Sequence, residues 1–119
     1  MGKKKTEADK ADEERRYALA RAAATDDEFE PFFTDPNQAI RNVAAMNPDA
    51  SDAVLARFAS DRFWSTRIAV AEHTNASRAT VLSLLVADPR KRGAVHHAAR
   101  RRLESEGVEF GEDGMPVDA

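Results

Sequence analysis

The chain has 119 residues, 18 Lys plus Arg against 21 Asp plus Glu, 42% apolar residues and no cysteine, which suits one small domain and leaves no room for a second. Without cysteine, a disulfide framework, a thiolate nucleophile, an iron–sulfur cluster and a cysteine zinc site are excluded. Alanine supplies 23 of the apolar residues, so the core is expected to be thin and built from helices that approach closely, not from sandwiches or barrels.

Residues 1–14 are highly charged, with little to bury, and read as a solvated, disordered leader. Met1-Gly2-Lys3-Lys4-Lys5-Thr6 also fits the N-myristoylation pattern, with a basic run of the kind that supports an acyl anchor. The solvated leader is preferred, because the pattern is short and common. No apolar run is long enough to cross a membrane or form a signal-peptide core, so a cytoplasmic location is expected.

Residues 15–105 read as a helical repeat domain. Phe29-x-x-Phe32-x-x-Asp35, Leu55-x-x-Phe58-x-x-Asp61 and Leu82-x-x-Leu85-x-x-Asp88 are one pattern, its closing aspartates recurring at a nearly constant interval. Thr25, Ser51 and Ser77 keep the same period, each where a helix N-cap is wanted, and Thr25 has Glu28 three residues on as in a capping box. Arg41 and Arg67 share it too, followed by Val43-Ala44-Ala45 and Ala69-Val70-Ala71. Each unit therefore reads as a short helix from the Ser or Thr cap to just before the aspartate, then a second helix from the aspartate to about Met46, His73 or Arg102. Asn47-Pro48-Asp49 and Thr74-Asn75-Ala76 are the breaks. Isolated pairs would leave their apolar faces wet, so the expected fold is a short right-handed α-solenoid of about three two-helix repeats.

Over roughly residues 25–103 the pattern of Arg, small residues three and four positions on, Asn-Pro, then Leu-x-x-Leu-x-x-Asp resembles the leucine-rich repeat variant family, bacterial all-helical relatives of HEAT repeats. The resemblance implies that the short Ser51–Ser60 and Ser77–Ala87 elements are partly 3₁₀. Familiar members carry an iron–sulfur cysteine cluster ahead of the repeats. This chain has no cysteine, so that cofactor is not carried over and none is expected.

Asp35 with Arg41, and Asp61 with Arg67, are six residues apart, the spacing of an Asp–Arg ladder between successive second helices in HEAT-like repeats. A residue that recurs in every unit serves the unit, so these acids are read as structural and not catalytic. In the third unit Ala94 stands where the arginine should be, leaving Asp88 to pair with Arg67 or to cap the last helix. Arg67 is expected to bridge Asp61 and its neighbour across the junction. The Asp61-Arg62-Phe63-Trp64 cluster is similar to the Trp and Asp mixture of HEAT-like DNA glycosylases, but three repeats are too few to wrap duplex DNA. Trp64, Ile68 and Ala71 read instead as one packed helix face.

His73 suits a helix C-terminus as a partly positive ring. Adjacent His96 and His97 point about 100° apart and cannot share a metal, and His97 aligns with Ala44 and Val70 as an interior position. No nucleophile elbow or phosphate-binding glycine loop is present, so the chain is read as non-enzymatic. Arg90, Lys91, Arg92, Arg100, Arg101 and Arg102 give residues 89–105 a charge of +5, with Arg90 above Arg101 and Lys91 above Arg102 on one helix. They are a candidate site for a polyanion or an acidic protein partner, weighed against a solubilising cap on the last repeat. Residues 106–119, at −5, read as an acidic, disordered tail that could fold back on them, with Val108-Glu109-Phe110 as a short extended piece at most. The functional expectation is a non-catalytic scaffold that binds a protein on the inner surface of its second helices. The alternative is a nucleic-acid-binding module using the basic last helix, and so thin a core also admits self-association.

Overall fold

The computed structural model describes residues 4–117, among which there are seven α-helices and no strand. The helices are α1 (Glu7–Ala22), α2 (Asp26–Phe29), α3 (Gln38–Met46), α4 (Asp52–Phe58), α5 (Trp64–Glu72), α6 (Arg78–Leu82) and α7 (Ala94–Ser105). Two 3₁₀ turns, Glu30–Thr34 and Pro89–Lys91, complete the backbone. None of the described helices is long and apolar enough to cross a membrane.

Local capping sets where the short helices begin. Thr25, Ser51 and Ser77 each accept a hydrogen bond from a backbone N–H in the first turn that follows, and Glu28 closes a capping box with Thr25. The longer α1, α3, α5 and α7 pack each on the next, and the short α2, α4 and α6 form a second row beside them. Most contacts are between neighbours, so the molecule is drawn out, with extents of 54 × 36 × 17 Å. Its radius of gyration is 16.2 Å, against about 13 to 14 Å for an ordinary domain of this size.

The core is a line of small and apolar residues between the two rows. Ile40, Ala44, Ala45, Val70, Ala71, Ala98 and Ala99 come from the long helices, and Phe29, Phe32, Leu55 and Phe58 from the short ones and the turn after α2. In the third unit the buried pair is Val81 and Leu84, whereas Leu82 is 38% exposed and Leu85 only half-buried. The cap decides this: Phe29, Leu55 and Val81 each lie four residues after Thr25, Ser51 or Ser77. Leu82-x-x-Leu85 is therefore one residue out of register. Leu84→Ala is expected to cost about 2–5 kcal/mol and Leu82→Ala under about 1 kcal/mol, read from urea melts; equal losses would refute the register.

Several sequence expectations are corrected. The leader boundary at residue 14 gives way to α1, a 16-residue helix that starts at Glu7, with Thr6 and Asp9 forming a capping box. It holds through long-range partners: Ala20 and Ala23 are buried, Glu13 accepts from Asn37 Nδ2 at 3.1 Å, and Arg16 pairs with Asp35. Met1, Gly2 and Lys3 of the acylation pattern lie outside the described residues. The 3₁₀ geometry occurs in the first unit, at Glu30–Thr34, while residues 52–58 and 78–82 are α-helical. Pro31 explains the difference, because it has no N–H for an α-helical bond.

The described part of the acidic tail, residues 106–117, turns back beside α7. Gly107 (φ 90°) ends α7 in a Schellman motif, with Val108 N–H donating to Leu103 O and Gly107 N–H to Glu104 O. A tight return follows, in which Phe110 bridges Pro116 and Gly114 takes a φ of 74°. Arg92 Nη2 donates to Asp113 O at 2.6 Å, and the Arg100 guanidinium lies 4.8 Å from the centre of the Phe110 ring. The segment docks through its backbone and an aromatic ring more than through its acids.

Candidate functional site

Arg41 pairs with the aspartate of the following unit and not with the one six residues before it. Arg41 Nε lies 2.8 Å from Asp61 Oδ2, while Arg41 Nη1 donates to the backbone oxygen of Asp35 at 2.8 Å. Arg16, which the sequence reading passed over, makes the rung before it, its Nη1 lying 2.6 and 2.7 Å from the two oxygens of Asp35. A signal for it existed: Arg16 and Ala20 match Arg41 with Ala45 and Arg67 with Ala71, and all three alanines are fully buried. Each aspartate also accepts from the N–H two residues on, Asn37 for Asp35, Phe63 for Asp61 and Arg90 for Asp88, which turns the chain toward the next element.

Arg67 departs from the series. Its Nη1 donates to the Asp61 backbone oxygen at 2.7 Å, and among the described residues it has no carboxylate partner. It therefore does not bridge two acids. Asp88 neither reaches Arg67 nor caps α7; it caps the 3₁₀ turn Pro89–Lys91 and pairs with Arg90 at 3.3 Å.

Three hollows follow the ladder. The first, about 640 Å³, lies between α1 and the Glu30–Thr34 turn and includes Leu19, Phe32, Arg16 and Asp35. The second, about 300 Å³, includes Asp35, Arg41, Asp61 and Arg62. The third, about 520 Å³, is lined by Trp64 and Arg67 of α5, Leu84, Leu85 and Lys91 of the connection, and Val95 of α7. Trp64 is 56% exposed, so it is not part of a packed face with Ala71 but stands at the mouth of this third hollow.

The six basic candidates separate into different tasks. Arg90 and Lys91 sit on their own 3₁₀ turn, and α7 starts only at Ala94, so they do not line up with Arg101 and Arg102 along one helix. Arg92 donates to Val86 O, Ala87 O and Asp113 O. Arg102 donates to Ala71 O, His73 O and Ala76 O at 3.0, 2.6 and 2.8 Å and pairs with Glu106. Arg100 pairs with Glu104 and stacks on Phe110. Lys91 and Arg101 are exposed.

Arg102 belongs to a second repeated device, also missed in the sequence. Asn47 Nδ2 donates to Ala20 O and Ala23 O, and Asn75 Nδ2 to Pro48 O and Ala50 O, so each unit satisfies carbonyls left at the helix end of the unit before it. His73 joins in: its Nδ1 accepts from Asn75 N–H at 3.0 Å, so Nε2 carries the hydrogen and donates to Asn47 O at 2.8 Å. It stands at the end of α5, as expected, and bridges to the unit before it. The short helices are tied similarly. Asp52 accepts from Ser77 N–H and Thr80 Oγ1, and the Ser77 backbone bond is the main reason its carboxyl lies below the usual range.

His97, expected in the interior, is exposed, and His96 is the buried one of the two, 2% exposed. Ala98 and Ala99 occupy the interior positions of Val70 and Ala71, later than the period predicts, because the connection before α7 is longer than its counterparts. His96 Nδ1 accepts from Val86 N–H at 3.0 Å. Burial is the main cause that pushes the ring below its ordinary 6.5, with Arg92, His97 and Arg100 adding repulsion and the Gly114 backbone opposing them. A base held low in the folded state is neutral there, so its contribution is present in full above about 6.5 and lost as pH falls through that value toward the folded one. Stability is expected to fall as pH drops below about 6.5, and His96→Asn, which keeps an acceptor near Nδ1, should flatten that slope in denaturant melts; an unchanged slope would contradict it.

Among the described residues no three His, Cys, Asp or Glu side chains gather as metal ligands. Neither a family model, nor a curated protein, nor a solved structure matches this chain.

Proposed function

We propose that this chain is a non-catalytic protein-binding scaffold, a short right-handed α-solenoid akin to the leucine-rich repeat variant repeats, whose partner lies along the groove beside its stacked long helices. The observation that carries this reading is the run of three hollows along the Arg–Asp ladder, with an exposed tryptophan at its last member. Exposed aromatic anchors beside arginine are typical of protein interfaces. The rival reading, nucleic acid on the basic last helix, is weakened because Arg92 and Arg102 are taken up by backbone carbonyls.

Replacing Trp64 by a photoreactive benzoylphenylalanine in the native cells tests this. Irradiation is expected to trap a protein at position 64 and none from the same group at Arg78, which is exposed on α6. Nucleic acid that binds with a steep salt dependence, together with no trapped protein, would overturn the scaffold reading.

A further inference from the structure

We propose that the cleft between α5 and α7 receives an acidic peptide segment of a protein partner, one carboxylate completing the ladder at Arg67 and one apolar side chain filling the hollow beside Trp64. The inference rests on the protein-binding reading above and names the chemistry of the occupant.

The open rung comes from a slip in the repeat. Arg16 and Asp35 are 19 residues apart and Arg41 and Asp61 are 20 apart, and both pairs close. The short helices keep a strict period, since Phe32, Phe58 and Leu84 recur at equal intervals. One extra residue then enters between Leu84 and Asp88, so Asp88 arrives one position later than the period set by Asp35 and Asp61. The late aspartate turns to Arg90 and caps the 3₁₀ turn instead. Arg67 is left half-buried, with Nη1 on the Asp61 carbonyl and no acid on the rest of its fork. In the two preceding units a carboxylate takes that place, and a guanidinium fork accepts one bidentately with little loss of side-chain freedom.

The walls of the cleft agree. No Asp or Glu lines it; Arg67 and Lys91 are its charges, and Leu84, Leu85, Ala94 and Val95 give it an apolar floor. At about 520 Å³ it has room for one or two side chains. It also adjoins the next hollow where Arg67 meets the Asp61 carbonyl; the acids of that hollow are taken by the ladder and Arg57 is paired with Glu30, so Arg62 is the charge an extended segment running on from the cleft would meet. Trp64 supplies a rigid amphipathic wall of the kind that anchors peptides.

The test displays a library of random short peptides to the full chain, then titrates synthesised winners while following the fluorescence of Trp64, the one tryptophan. The winners are expected to share an Asp or Glu a few residues from a Leu, Ile or Phe, and to shift the emission to the blue. Arg67→Gln should weaken them about tenfold or more, Arg67→Lys less, and Arg101→Ala not at all. Trp64→Ala, whose binding is followed by titration calorimetry because it carries no tryptophan, provides a second variant that removes no buried group, should Arg67→Gln fail to fold in a thermal melt. Winners without an acid, or winners indifferent to both Arg67→Gln and Trp64→Ala, would sink the cleft proposal and leave the scaffold reading standing. A chain that selects no peptide but binds an oligonucleotide would sink both. A dimer in sedimentation that Trp64→Ala dissolves would assign the cleft to a second copy of the chain and overturn the proposal as stated.

Discussion

Asp61→Ala is expected to destabilise the chain by about 3–5 kcal/mol, because it leaves the Arg41 guanidinium buried without its counter-charge. The side chains of Arg41 and Asp61 are 4% and 5% exposed, so water cannot replace the lost partner. Asp61 also accepts from Phe63 N–H, which orients the entry to α5. Asp61→Asn should keep that bond and lose the charge, falling between alanine and the wild type. Urea melts of Asp61→Ala in an Arg41→Met background should show most of the cost gone, since the methionine leaves no charge to strand. The same cycle with Arg67→Ala should show little coupling, because Arg67 meets the carbonyl of Asp61 and not its carboxylate. Asp88→Ala, whose side chain is 32% exposed and paired with an Arg90 that is 90% exposed, should cost under about 1 kcal/mol. Similar losses at Asp61 and Asp88 would remove the ladder as a source of stability.

Arg102→Met is expected to cost about 3 kcal/mol while Arg101→Met costs under about 0.5 kcal/mol. The two residues are neighbours with the same charge, so their contrast separates structure from electrostatics. Arg102 carries three bonds to the carbonyls of Ala71, His73 and Ala76, and methionine keeps its apolar stem but leaves those acceptors unmet. Thermal melts give the comparison. If Arg102→Met is as mild as Arg101→Met, the carbonyls are satisfied by water and the stacked end-caps do not hold the last unit in place.

The second prediction bears on function, because it concerns a side chain that looks available for binding in the sequence and is engaged in the fold. Six basic residues near the C-terminus suggest a polyanion surface only while their hydrogen bonds are unknown. Once Arg92 and Arg102 are committed to carbonyls and Arg100 to Phe110 and Glu104, the charge that faces the cleft between α5 and α7 is that of Arg67 and Lys91, while Arg101 lies beside Glu72 at a separate hollow. The basic candidate site of the alternative reading thus gives way to the cleft in front of the last helix.

What the amino-acid order determined by itself was whatever depends on interactions within a few residues. The caps at Thr25, Ser51 and Ser77, the alternation of short and long helices, the break at Asn47-Pro48 and the all-helical class follow from side chains bonding to backbone groups two or three positions away, and from apolar spacing along one turn. What only the tertiary structure decided involves partners far along the chain. The charged Glu7–Ala22 segment has few large apolar residues, yet its helix is held by Asp35 and Asn37. Arg41 could have met the carboxylate of Asp35 shortly before it or that of Asp61 in the following unit, and the stacking of long helices brings the later one closer. Trp64 fits the apolar spacing of a packed face, but the longer connection before α7 opens a hollow where a neighbour would have covered it. Local bonds reveal themselves in spacing, whereas a one-residue change in loop length shifts every distant partner and leaves almost no trace in the pattern.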